Sequence, residues 1–254
     1  MADKILKTFM IRIAAISITA AAVLTGCGFP KNKAADLCEA IREGNNEEAV
    51  RIAETLGDLN VTSAPFPRIV GFFEGEVSTP LVKACETGNG EMVSWLLEHG
   101  AKTDYAPDPV LYPLESFCDT GSGAGKEVLQ KLLDYKADPN KYKLRPPIFM
   151  LANTLRHRDD STYAEGVEMV LLLIGSGAEW TDPNDGYTLI HYAAMQRDGK
   201  LLTELLKKER GVQLLDAEND KGQTPLDIAE QMHSAECVQI LLDAGQSANG
   251  DMPY

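Results

Sequence analysis

Residues 78–101 read STPLVKACETGNGEMVSWLLEHGA, and residues 222–245 read GQTPLDIAEQMHSAECVQILLDAG. Each begins near Thr-Pro-Leu, crosses a polar turn, and closes on a second apolar stretch ending in Leu-Leu and a glycine. Leu81, Ala84 and Cys85 share one face of the first stretch. Val93, Leu96 and Leu97 share one face of the second, so both carry the i, i+3, i+4 spacing of a helix. Thr79 stands ready to cap the first helix, with Pro80 at its first position. Helices this short cannot bury an apolar face alone, so such units must stack on copies of themselves.

Copies lie on both sides of these two stretches. YPLESFCDTG at 112–121 repeats TPLVKACETG at 79–88 with an offset of 33 residues, and EVLQKLLDYKADPN at 127–140 supplies its second helix. GYTLIHYAA occupies 186–194, and PIFMLA at 147–152 pairs with GVEMVLLLIGSGAEW at 166–180. An opening unit over 34–59 lacks the Thr-Pro mark, as terminal repeats often do. The pattern resembles the ankyrin repeat, with its T-P-L-H motif, polar turn and second helix ending L-L-x-x-G-A. The resemblance implies an all-α solenoid of about six helix–turn–helix units over 34–250, and a protein-binding role without catalysis. Glycines 88, 100, 121, 177 and 245 stand where helices are expected to end and the chain to reverse.

Residues 1–26 read differently. Lys4, Lys7 and Arg12 precede twelve uncharged residues, IAAISITAAAVL at 13–24, a length that suits a signal peptide and falls short of a membrane span. Leu24-Thr25-Gly26-Cys27 resembles the bacterial lipobox. That likeness implies cleavage before Cys27, lipidation of Cys27, and a short tether over 27–33. Gly28 in place of aspartate favours the periplasmic face of the outer membrane. Loss of 1–26 removes three cations and Asp3, taking the net charge from −14 to −16. Such acidity argues against nucleic acid as a partner. It fits either solubility or a basic protein partner.

Two insertions break the period. VTSAPFPRIVGFFEGEV at 61–77 carries Phe66, Phe72 and Phe73, which either fold over the solenoid edge or meet a partner. RHRDDSTYAE at 156–165 is expected to lengthen the turn inside the fourth unit, and Lys207 to Arg210 to form a solvated helix end. GSGAGK at 121–126 has phosphate-loop composition, but Glu127 follows where Ser or Thr is required, so it reads as a turn. Cys85 and Cys118 occupy equivalent places in successive units and, with Cys38 and Cys237, read as reduced packing residues. The four histidines are scattered, so no metal or cofactor is expected, and no catalytic set stands out. The ankyrin resemblance gives His191 a hydrogen bond between adjacent loops.

The register puts the tips between units at 102–108, 140–144, 181–187 and 218–221. Tyr105, Asp108, Tyr142, Asp182, Asp185, Tyr187, Glu218 and Asp220 are the candidate partner contacts, since tyrosines anchor interfaces and acids steer a basic partner. Trp180 beside them is either anchor or core. By likeness to lipidated ankyrin proteins of toxin–immunity pairs, the expected partner is an antibacterial toxin of the type VI secretion phospholipase kind. The alternative is a resident periplasmic enzyme such as a catalase, with this chain as its scaffold.

Overall fold

A computed structural model describes residues 32–63, 77–107, 110–120, 125–155 and 159–248. The signal sequence, Cys27, Asp108, the GSGA turn and the three phenylalanines of the first insertion lie outside the described residues. Thirteen helices are present among those described, and extended pairing is confined to an isolated bridge between Thr181 and Thr188. No described helix is long and apolar enough to cross a membrane.

The helices come in six pairs. These are α1 (Lys33–Arg42) with α2 (Asn46–Ala53), α3 (Pro80–Glu86) with α4 (Gly90–Glu98), and α5 (Pro113–Thr120) with α6 (Gly125–Asp134). Then follow α7 (Pro147–Thr154) with α8 (Asp160–Gly175), α9 (Leu189–Met195) with α10 (Gly199–Leu206), and α12 (Pro225–Gln231) with α13 (Ala235–Ala248). The first helices of the pairs stack in series as an inner layer, and the second helices form an outer layer. A short α11 (Glu209–Gln213) follows α10, so the charged 207–210 stretch is a break and a new helix rather than one helix end.

Side chains punctuate the units. The Thr79 hydroxyl accepts from the Val82 amide at 3.2 Å, and Thr188 and Thr224 form capping boxes with His191 and Asp227. Asn45, Asn89 and Asp198 cap the outer helices α2, α4 and α10. Each such cap stabilises its helix by about 1 kcal/mol. Gly88, Gly100 and Gly177 take positive φ at helix ends, a conformation that favours a residue without Cβ. Gly245 departs from the expected position. It lies inside α13, which runs on through Ser247, whose hydroxyl donates to the Asp243 carbonyl.

The second insertion also differs from expectation. Its later residues are the opening turns of α8, because the Asp159 carboxylate caps the Thr162 amide at 2.9 Å and starts the helix early. The first insertion is closed at its base, where the Ser63 amide donates to the Ser78 carbonyl (2.8 Å) and the Ser78 amide donates to the Ser63 hydroxyl (2.9 Å).

One apolar core runs the length of the stack, with Phe117, Leu132, Phe149 and Leu173 fully buried. Cys38, Cys85, Cys118 and Cys237 are reduced and buried, and burial pushes the Cys85 and Cys118 thiols far up, so neither ionises readily. Trp180 is core. The Phe149 ring meets Tyr192 of the next unit edge to face, 5.0 Å between centroids. Phe149→Ala is expected to cost about 3–5 kcal/mol of unfolding free energy. Urea denaturation followed by circular dichroism checks this; a loss below about 1 kcal/mol would mean that the two units are not coupled there.

Candidate protein-binding surface

The loop tips are built by hydrogen bonds within and between units. Asp58, Asp138 and Asp182 each accept the amide of the residue two places on, Asn60, Asn140 and Asn184, at 2.9–3.0 Å. Two of these asparagines then bridge to the next unit. Asn60 accepts from the Lys102 amide at 2.8 Å and donates to the Gly100 carbonyl at 3.3 Å. Asn140 accepts from the Glu179 amide at 2.8 Å and donates to the Gly177 carbonyl at 2.9 Å.

The fourth position of the T-P-L-H motif makes a second set of bridges. His191 Nδ1 accepts the Thr188 amide at 3.1 Å, which leaves its proton on Nε2 to donate to the Gln223 carbonyl at 2.9 Å. In the third unit Glu115 takes this position and is 0% exposed. Its carboxylate accepts the Lys143 amide (3.0 and 3.1 Å), the Leu144 amide (2.7 Å) and the Tyr112 amide (3.4 Å). Charge-assisted bonds of this kind are about twice as strong as neutral ones. Glu115 therefore holds the next tip as His191 does, with the donor and acceptor roles exchanged.

Successive tips are joined into one strip. Lys141 lies 4.0 Å from Asp104, and the Lys143 ammonium donates to the Ala106 carbonyl at 2.6 Å. Arg145 reaches Asp182 at 3.0 Å and Asp185 at 3.4 Å, with its guanidinium 5.4 Å from the Tyr192 ring centroid. The Asp220 amide donates to the Asp185 carbonyl at 3.1 Å, where Gly186 leaves no room for a Cβ.

Against this geometry the expected contacts divide. Tyr105 and Tyr142 are half-buried on the first two tips. Asp182 is a correction. It is 0% exposed, because the tip hairpin turns its carboxylate inward onto the Asn184 amide and Arg145, so it cannot meet a partner. Tyr187 is half-buried and packs against His191 and Tyr192, with only part of its ring outward. Asp185 is half-exposed and shares Arg145. Glu218 and Asp220 are exposed, and no described cation lies within ion-pair reach of either. The strip is thus mixed in charge through its middle and acidic only at the last tip.

Sequence reasoning passed over Leu144. It is the most exposed large apolar side chain of the described residues, at 65%, and it sits between Lys143 and Arg145 on amides clamped by Glu115. The signal was present as an apolar residue within the basic run 141–145, KYKLR.

Helix pairs stacked in register, with short hairpin tips bridged by motif side chains, define a repeat solenoid. The model of a single ankyrin repeat matches residues 78–108 and the model described as ankyrin repeats (3 copies) matches residues 161–251, so those stretches carry ankyrin repeats. The all-helical stack of the described residues is the corresponding solenoid, a fold that in general serves as an interaction module. The nuclear factor NF-kappa-B p105 subunit of Gallus gallus is 27% identical over 124 residues. That match covers 49% of this chain and 12% of the relative's length.

Burial lowers the pKa of His191 in the fold. The unfolded chain therefore binds more protons below about pH 6.5, and stability falls as pH drops through that value toward the depressed folded pKa. Protonation also sets an N–H on Nδ1 against the Thr188 amide. Unfolding midpoints between pH 7.5 and 5.5 should decline for the native chain and be flatter for His191→Gln. Equal slopes would remove the histidine as the source.

Proposed function

We propose that this chain is a lipid-anchored protein of the bacterial envelope that binds and neutralises another protein through its tip strip, as an immunity protein against a secreted antibacterial toxin. The observation that carries the protein-binding part is Leu144, exposed on amides fixed by a buried carboxylate. A partner that covers it gains apolar burial without first having to order the loop. Tyr142 on the same tip and Tyr105 on the preceding one add half-exposed aromatic area, the residue type enriched where binding energy concentrates. Exposed Glu218 and Asp220 at the last tip attract a partner with a basic patch there.

The envelope reading rests on the sequence of 1–28. Diacyl attachment at Cys27 holds a protein stably at a membrane. A short tether keeps the strip near the periplasmic face of the outer membrane, in the path of a toxin aimed at lipid or wall. Binding alone suffices for neutralisation, so no catalytic group is required.

Affinity capture from envelope extract of the source organism, with the full chain as bait, tests the partner. A stoichiometric hydrolase with toxin activity, whose binding weakens by about tenfold or more in Leu144→Asp and in Tyr142→Ala, is the expected result. Recovery of a resident enzyme such as a catalase on the same residues would replace immunity with a scaffold role. Anchoring is tested separately by metabolic labelling with palmitate. Label should enter the native chain and not Cys27→Ser; label persisting in the variant would rule out lipidation at that cysteine.

A further inference from the structure

The outer layer is not continuous. Helices α4, α6 and α8 pack in succession and α10 packs on α13, but α2 and α4, joined by the Asn89–Asn46 bond, and α8 and α10, joined through Tyr163 and Asp198, pack less closely. Each gap leaves a hollow. The one between the end of α2 and α4 measures about 320 Å³ and is lined on the α4 side by Trp95 stacked on His99, 3.9 Å between ring centroids. The one between α8 and α10 is larger, about 550 Å³, and continues to Glu236 on α13.

This second groove has a defined chemistry. Val167 and Leu171 of α8 make its apolar floor, and exposed Ala164 and Thr203 stand on opposite walls. Tyr163 closes one end, where its hydroxyl donates to the Asp198 carboxylate that caps α10. Lys200 lies over the Tyr163 ring at 5.5 Å. Glu168, Glu204 and Glu236 line the groove against that one cation. Two of these acids hold exposed lysines, Lys126 to Glu168 at 2.8 Å and Lys207 to Glu204 at 2.6 Å. Exposed pairs of this kind are weak and exchange readily for an incoming cation.

We propose that the groove between α8 and α10 is a second docking surface, apart from the tip strip, and that its occupant is a basic amphipathic helix of a partner protein. Such a helix sets aliphatic side chains on Val167 and Leu171 and lysines or arginines toward Glu168, Glu204 and Glu236. Both walls are helices whose backbone groups are bonded internally, so the groove offers no edge for a strand to join. A guest helix instead restores the helix-on-helix packing that the outer layer has on either side. The acidic lining selects its charge.

The test uses the purified full chain and two labelled synthetic peptides of about 14 residues, enough for four helical turns. Both carry leucines on one face, and the remaining positions are lysine in one peptide and glutamate in the other. Fluorescence anisotropy should show the lysine peptide bound at least tenfold more tightly. Ala164→Trp and Thr203→Trp, on opposite walls, should each weaken that binding about tenfold, while Leu144→Asp leaves it unchanged. Circular dichroism melting confirms that the variants fold, and either one that folds is decisive. Equal binding of the two peptides, or binding indifferent to the wall variants, overturns the proposal. So does self-association of the chain that Ala164→Trp abolishes, since the groove would then belong to a second copy.

Discussion

A pair of helices about two turns long has no place to bury its apolar side except against another such pair. Everything else in this chain follows from that constraint. It turns the sequence into a row, sends the core along the row, and makes each unit's stability depend on its neighbours. Phe149 against Tyr192 is the apolar form of the dependence. The polar form is the set of bridges by which Asn60, Asn140, Glu115 and His191 each hold backbone of the following unit. Glu115 and His191 are tolerated in the interior because the backbone groups they satisfy would otherwise be costly to leave unpaired.

The same bridges shape the surface offered to a partner. Much of the acidity at the tips is spent internally, as Asp58, Asp138 and Asp182 turn the chain and Asp182 and Asp185 share Arg145. What faces outward is a strip with an apolar, aromatic middle and an acidic far end. Rigidity is the useful property here, because a tip held at both its amides and its side chains loses little entropy on binding. Where the repeats are ragged, the stacking is interrupted. The early start of α8 under the Asp159 cap gives the fourth unit a helix of 16 residues beside neighbours about half as long, and the outer layer opens where α8 and α10 pack less closely.

The period of 33 residues, the Thr-Pro-Leu starts and the Leu-Leu ends determined the helix pairs, their order and their stacking, because those marks encode local caps and apolar faces that act within a few residues. Which cysteines are core was legible for the same reason, whereas the reach of His191 across 32 residues to Gln223 was legible only through the likeness to the ankyrin pattern. The fate of Asp182 was not, since its partner Arg145 lies 37 residues away on another unit. Glu115 and Leu144 were equally hidden, because the clamp that buries one and holds the other outward spans 29 residues. Residues 156–165 read as turn from their polarity, and only the cap at Asp159 decided for helix from Asp160 onward. Sequence alone determined the repeating units, through interactions local to each. Tertiary structure decided which polar side chains serve the stack and which serve a partner, because that choice depends on what the neighbouring unit presents.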